Sequence, residues 1–392
     1  MVREILITFY LFVFHMLFTM AKFFPIQKKT VCVASFGDNI FYTTRALRKL
    51  SEEKIVILKG RSCKYPFNNS TGIVISFTLH HPISYLRSIY HLATATTVLV
   101  DNYYGFLAVT NFKEETTCIQ LWHANGAIKY FGLQDPSTEK RGIKAKKRFM
   151  RVYSRFNYII VGSERMASIF RKSFEIPDET ILRIGIPRTD IFYDPYEKLV
   201  IQQQLRKIQS VNGKKVILYA PTFRDHELEN YNIQLDLSLL EEHLSSEYVL
   251  WLKVHPAVSY NLAEFHSDFV IDVSDYHDVN HLLFNTDILI TDYSSIPFEY
   301  ALLGKPILFF AYDLVEYRSI RGLMNDYEIS MPGPIIQTNE EIIAAIKENK
   351  FSRSIIKSFA NDWNEYSKGN SSMNLAKFIT QTDKQTDAIK IS

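Results

Sequence analysis

Two histidines stand where apolar runs stop: His123, in Trp122-His123-Ala124-Asn125-Gly126, and His255, in Trp251-Leu252-Lys253-Val254-His255-Pro256. An imidazole titrates near neutral pH and can take a proton from an attacking hydroxyl, so each is a candidate general base. Each also has a plain structural reading, His123 as a turn cap and the Lys253–His255 pair as a solvated strand face. Asn125-Gly126 supplies a turn whose N–H groups suit an anion. Lys253 and His255 alternate along a run, so as a strand they share a face that suits a diphosphate, and Pro256 ends the run. Asp292-Tyr293-Ser294-Ser295, followed by Pro297-Phe298-Glu299, sets small hydroxyls at a strand–helix junction. That arrangement serves as a helix cap or as a phosphate cradle of N–H groups and helix dipole. Ala220-Pro221-Thr222-Phe223-Arg224 and Gly185-Ile186-Pro187-Arg188 each close on an arginine whose guanidinium matches phosphate, although an arginine past a turn is also common on any surface. Lys140, Lys144, Lys147, Arg151 and Arg155 recur at helical spacing, and the stretch they bound holds eight basic residues and no acid. It is either a solvated face or a surface for anionic lipid headgroups or a lipid-linked diphosphate. Neither a Walker A nor a GxGxxG sequence is present. No carboxylate cluster demands a metal, so no cofactor is expected.

These residues need elements to position them. From about Thr30 the chain alternates short β-branched runs with helical patterns, and the polar clusters follow the runs. Strands are predicted at 30–36, 54–58, 72–76, 97–101, 117–122, 158–161 and 182–184, with a turn at Gly37-Asp38-Asn39. After a boundary near Tyr193 to Leu199 the pattern restarts, with strands at 215–219, 248–254, 269–272, 287–291 and 306–310. Alternation of this kind predicts a parallel α/β sheet in each half. The expected organisation is two Rossmann-like doubly wound domains, 25–192 and 193–380, facing a cleft, behind an N-terminal segment, 1–24. In such sheets ligands sit at the carboxyl ends of the strands, where the candidate residues lie.

Length and composition agree. A chain of 392 residues, 47% hydrophobic and 22% charged, is globular and long enough for two cores. A net charge of +3 argues against a general nucleic-acid binder. The three cysteines, Cys32, Cys63 and Cys118, are odd in number, widely spaced and without a CxxC pair, so they support neither a disulfide framework nor a zinc site. The apolar stretch from Ile5 to Met20 has three readings. A cleaved signal is one, and a membrane span is another, though 16 residues is short of the roughly 20 needed. The favoured reading is an in-plane amphipathic helix on an anionic membrane, with Glu4, Thr8, His15, Thr19 and Lys22 as its polar stripe.

The ordered series WHANGAIKYFGL, GIPRTD, YAPTFRD, KVHP and DVNHLLFNTDILITDYSSIPFEYALLGKPILFFAYDLVEYRSIRG resembles the CDP-glycerol glycerophosphotransferase family of wall teichoic acid synthesis, over about Lys29 to Phe378. The resemblance implies a GT-B-like fold. It also implies transfer of glycerol phosphate from CDP-glycerol to a lipid-linked acceptor at the cytoplasmic membrane face, with release of CMP. Chain length, the DNYY run at Asp101 to Tyr104 and the WHANGAIK wording look like the primase branch. That branch acts on undecaprenyl-diphosphate-linked N-acetylmannosaminyl-N-acetylglucosamine. Where the polymerase branch reads WHGTPLK, this chain has Ala124-Asn125. The family's proposed base corresponds to His123 and its second essential histidine to His255. Donor-binding positions correspond to Arg188, Thr222, Ser294 and Ser295. Motif and resemblance together also place Asn125, Gly126, Pro221, Arg224, Lys253, Pro256, Asp292, Glu299 and Arg321 in the substrate-binding set. The partners implied are CDP-glycerol, the lipid-linked disaccharide, the membrane surface and other teichoic acid enzymes.

Overall fold

The structure is a computed structural model that describes residues 2–68, 70–208, 211, 213–224, 232–254, 258, 260, 267–324 and 326–391. The side chains of 139, 140, 206–208 and 383–391 fall outside that description. The chain divides into two compact units. Unit 1 comprises Met1–His123, Phe131–Asp190 and Glu365–Ser392, and unit 2 comprises Ala124–Tyr130 and Ile191–Asn364. The sequence pattern predicts a second domain that runs to residue 380. The contacts return the C-terminal segment to unit 1 because Leu375, Ala376 and Ile379 of the helix Ser371–Ile391 are buried in the unit 1 core.

Unit 1 is built on seven parallel strands, β1 (Gln27–Ala34), β2 (Lys54–Lys59), β3 (Ile73–Ser76), β4 (Ala95–Val100), β5 (Thr117–Gln120), β6 (Tyr158–Ile160) and β7 (Ile181–Leu182), in the order β3-β2-β1-β4-β5-β6-β7. Unit 2 has six parallel strands, β8 (Lys215–Tyr219), β9 (Tyr248–Leu252), β10 (Val270–Asp272), β11 (Ile288–Thr291), β12 (Ile307–Phe310) and β13 (Ile335–Ile336), in the order β10-β9-β8-β11-β12-β13. Both orders reverse once, between β1 and β4 and between β8 and β11, and so both are doubly wound. The central strands β4, β11 and β12 are buried along their whole length, as expected of a sheet covered on both faces. Polar caps set several helix starts. Ser163 and Asp278 accept backbone N–H bonds, and Thr338 with Glu341 forms a capping box.

Three local expectations change. The helix α2 (Asp38–Leu50) begins at once after Gly37, so Gly37-Asp38-Asn39 is a helix start and not a free turn. Gly37 makes this possible at φ 98, where a Cβ would fall 2.6 Å from the Tyr65 Cβ. The basic stretch is not one helical face either. It breaks at Arg141 between the helices Pro136–Lys140 and Gly142–Tyr153, with Gly142 at φ 81, and Arg155 lies beyond the second helix. Finally, β9 stops at Leu252, so Lys253 is past the strand.

The N-terminal helix α1 (Val2–Ala21) is longer than expected, and by length and composition it is apolar enough to cross a membrane. It packs on the helix Pro82–Ala93 and the 3-10 turn Gly105–Val109. Phe14 stacks on Phe106 at 4.9 Å, Phe18 meets Phe112 edge-on at 5.6 Å, and the Tyr10 and Tyr85 hydroxyls are 2.8 Å apart. Glu4 pairs with Arg148. The opposite face exposes Ile5, Leu6, Phe9, Phe12, Met16 and Met20. Of the expected polar stripe, Thr8, His15 and Thr19 are exposed, and Glu4 and Lys22 are half-buried. Glu4 and His15, the latter bonded to the Val109 carbonyl, reach for the protein, while the apolar residues divide between core and surface. The three cysteines are buried free thiols, and burial pushes Cys63 up to about 11 and Cys118 up to about 12.

Candidate active site

In unit 1, β5 delivers His123 to the carboxyl end of the sheet. Trp122 just before it has φ 55, an uncommon conformation for a bulky residue and one that clusters at functional sites. The surroundings account for this turn bond by bond. The Trp122 N–H donates to the Gln120 Oε1 at 2.8 Å, and its carbonyl accepts from Asn39 Nδ2 at 3.1 Å. The His123 carbonyl accepts from the Arg188 guanidinium at 2.9 Å. Its ring stacks against Phe36 at 4.2 Å and against Trp122 at 4.4 Å. The half-buried imidazole thus has a defined plane, and Nδ1 lies 3.2 Å from the Asp101 carbonyl oxygen.

Arg188 comes to this point as the sequence places it. It is 7% exposed, and its guanidinium bonds Asp38 at 2.8 Å as well as the His123 carbonyl. Its own N–H donates to Asn39 Oδ1. Arg188 and Asn39 therefore tie the start of α2 to the His123 turn.

In unit 2 the loops after β8, β11 and β12 converge on Arg224. Its Nε and Nη2 meet both oxygens of Asp313, at 2.7 and 3.0 Å, and Nη1 meets Asp292 at 3.1 Å and the Thr222 carbonyl at 2.5 Å. The rings of Tyr317, Tyr293 and Tyr312 lie 4.7, 5.2 and 5.3 Å from the guanidinium carbon. Burial alone would lower this guanidinium, but Asp292 and Asp313 drive it well upward. Arg224 is a closed cross-link of three strand ends. Asp292, 1% exposed, also accepts the N–H groups of Thr222 and Tyr293. Two neighbouring serines are more open. Ser294 and Ser295 are half-buried at the start of the helix Ile296–Tyr300, where Ser294 Oγ accepts from the Ile296 N–H at 3.2 Å. The Thr222 hydroxyl is buried beside Pro221 and makes no hydrogen bond to a described residue.

Other expected residues separate. Lys253 Nζ donates to the carbonyls of Ser274 and Tyr276, both at 2.7 Å. Glu299 is 1% exposed. Asn125 is buried and bonds Asn364 at 2.5 Å, and a Cβ on Gly126 would meet Phe298 Cδ1 at 2.5 Å, so this pair packs the fold. Arg321 is half-buried at the end of the helix Leu314–Arg321, near Tyr317. Lys144, Lys147 and Arg151 are exposed, and Arg155 is half-buried. His255 and Pro256, and the Lys140 side chain, lie outside the described residues.

Sequence reading missed Lys129. Its main chain bridges Leu323, and its Nζ lies 5.9 Å from the Tyr317 ring centre, a ring that stacks on Tyr293 at 3.8 Å. The signal was the charge closing the WHANGAIK motif. It also left the residues around His123 unassigned, although Asp101 stood out as an acid ending a strand.

Two doubly wound parallel sheets with strand-end loops of this kind define a GT-B-like fold. The family model for CDP-Glycerol:Poly(glycerophosphate) glycerophosphotransferase matches residues 16–381, and the chain belongs to this family of alcohol-phosphate transferases. The teichoic acid glycerol-phosphate primase of Bacillus subtilis (strain 168) is 43% identical over 300 residues, 76% of this chain and 77% of that protein. The teichoic acid ribitol-phosphate primase of Bacillus spizizenii is 31% identical, covering 91% and 92%. Among solved structures, the wall teichoic acid polymerase TagF superposes with a TM-score of 0.81 at 25% identity, covering 98% and 99%.

Proposed function

We propose that this chain is a glycerol-phosphate primase of wall teichoic acid synthesis. It transfers glycerol phosphate from CDP-glycerol to N-acetylmannosaminyl-N-acetylglucosaminyl-diphospho-undecaprenol and releases CMP. The acceptor hydroxyl attacks the glycerol-bearing phosphorus. A new P–O bond forms as the bond to the CMP phosphate breaks, and the hydroxyl proton passes to His123. The observation that carries this reading is the placement of His123. Its plane is fixed by two stacked rings, and its Nδ1 is directed at a carbonyl. Such an imidazole is ready to accept a proton without reorganising. His255 is the second expected histidine of the reaction. Thr222 and the Ser294-Ser295 segment are the groups we assign to donor phosphate oxygens, because the Thr222 hydroxyl makes no bond to any described residue and the two serines are half-buried at a helix start. Arg188 and Arg224 act indirectly, by holding the loops. The higher identity to a glycerol-phosphate primase than to a ribitol-phosphate primase supports glycerol as the transferred group. No cofactor is assigned a step.

The outward apolar face of α1, with Phe23 and Phe24 exposed beyond it and Lys144, Lys147 and Arg151 exposed on unit 1, supports peripheral attachment to the cytoplasmic face of the membrane. Other teichoic acid enzymes are natural partners at that surface. The test of function is incubation of purified protein and lipid-linked disaccharide with CDP-glycerol or CDP-ribitol. One glycerol phosphate per acceptor with stoichiometric CMP supports the primase. Long chains, or preference for CDP-ribitol, would overturn it.

A further inference from the structure

We propose that Asp101 and Tyr104 are positioning residues for His123, fixing its imidazole in one orientation and in the tautomer whose Nε2 is the basic nitrogen. This rests on the reading of His123 as the base. Asp101 is wholly buried and follows β4 at the point where the sheet order reverses, with β1 alongside. Its main chain and side chain act on the same imidazole by separate routes.

The direct route is the Asp101 carbonyl, 3.2 Å from His123 Nδ1. A carbonyl oxygen only accepts, so Nδ1 must carry the hydrogen, and in the neutral ring the lone pair is then on Nε2. The indirect route is the carboxylate. Oδ1 accepts from the Ser35 N–H at 2.9 Å and from the Tyr104 hydroxyl at 2.7 Å. Oδ2 accepts from the N–H groups of Ser35, Phe36 and Gly37 at 3.1, 2.9 and 2.8 Å. Three successive N–H groups past β1 thus converge on one carboxylate, and the middle residue, Phe36, is the one whose ring lies on His123 at 4.2 Å. Tyr104 steadies the same loop, since its oxygen is also 2.9 Å from the Ser35 Oγ.

Burial pushes the Asp101 carboxyl up to about 6, opposed by the Ser35, Phe36 and Gly37 N–H groups and by Tyr104. The geometry calls for the ionised form, because only a carboxylate offers acceptors alone to so many donors. Unit 2 carries a related tie, with Asp292 after β11 accepting the Thr222 N–H after β8. A buried acid at the sheet reversal is therefore a structural device in itself. What distinguishes Asp101 is that its carbonyl and, through Phe36, its carboxylate both end on a candidate base.

The experiment uses the full chain as wild type, Tyr104→Phe, Asp101→Asn and His123→Gln. Two quantities are read: kcat with KM for CDP-glycerol, from CMP release, and the imidazole nitrogen resonances of ¹⁵N-histidine-labelled protein. The resonance lost in His123→Gln identifies His123. The wild type is expected to show His123 protonated at Nδ1 only. Tyr104→Phe should lower kcat about 10-fold and Asp101→Asn about 100-fold, in line with the cost of a small misplacement of a catalytic group. KM for CDP-glycerol should stay within about 2-fold, the cost falling on positioning alone, and the His123 signal should move towards a mixture of tautomers. A folded Tyr104→Phe protein with unchanged kcat and an unchanged His123 signal overturns the proposal, as does a wild-type signal already mixed or protonated at Nε2. Should Asp101→Asn fail to fold, Tyr104→Phe decides alone. Turnover surviving in His123→Gln would instead refute the base assignment, a separate failure that the resonance data do not share.

Discussion

Replacing Arg224 separates two accounts of the same residue. As a ligand for donor phosphate, its loss would weaken CDP-glycerol binding and leave the fold alone. The structure closes it instead with Asp313 on Nε and Nη2, Asp292 on Nη1 and three tyrosine rings around it, and leaves it 5% exposed. Arg224→Ala would strand two acids, of which the Asp292 side chain is 2% exposed and the Asp313 side chain 15%. Removing one partner of a buried ion pair costs about 3–5 kcal/mol. Against a total stability of about 5–15 kcal/mol, that is a large share. Arg224→Lys keeps the charge but not the two-pronged contact with Asp313, and should cost about 1–2 kcal/mol. Urea denaturation followed by tryptophan fluorescence reads the loss, since Trp251 is buried in unit 2. Adding Asp313→Asn to Arg224→Ala should recover part of it, because one stranded charge is gone. An Arg224→Ala protein as stable as wild type, with a raised KM for CDP-glycerol, would refute the reasoning and restore the phosphate-binding role.

Further outcomes follow from the same geometry. Gly126→Ala should lose about 1–3 kcal/mol in urea denaturation, because its Cβ would press on Phe298 at 2.5 Å. On α1, Phe14→Ala should cost about 3–5 kcal/mol from the core. By contrast, Phe9→Ser with Phe12→Ser, at 65% and 61% exposed, should leave stability within about 0.5 kcal/mol while lowering co-flotation with anionic liposomes. Equal flotation would count against membrane attachment through this face. Burial, reinforced by Lys29, holds the His91 imidazole down to about 4. The unfolded chain therefore takes up a proton first as pH falls from about 6.5, and stability present above that pH is lost on the way down to 4, by about 2 kcal/mol once solvent screening is allowed for. The wild type should lose Tm relative to His91→Gln over that window, and parallel curves would contradict the assignment.

The fold was legible because buried parallel strands write themselves as short apolar runs and because the polar residues gather at their ends. β13 escaped because two residues, Ile335 and Ile336, carry no period to read. The site was legible as a set of positions but not as a set of tasks. An arginine past a strand reads the same whether it faces a ligand or an acid, and the acids that close Arg224 are 68 and 89 residues away in sequence. The direction of the Lys253 side chain was illegible for a related reason: once the strand stops at Leu252, alternation no longer says where the side chain points. His123 could be placed at a strand end from sequence, whereas Phe36 stacked on it and the Asp101 carbonyl under it come from other strands. The α1 pattern showed a polar stripe but not which of its apolar residues the protein covers, which only packing shows.

The central claim is that His123 removes the acceptor proton. It is tested most directly by single-turnover CMP release from CDP-glycerol in the presence of lipid-linked acceptor, comparing His123→Ala with wild type. Loss of a positioned general base should slow the chemical step about 10²- to 10⁴-fold while the Kd for CDP-glycerol, measured separately, stays within about 3-fold. CMP release at the wild-type rate, or a rate loss matched by an equal loss of donor affinity, would contradict it.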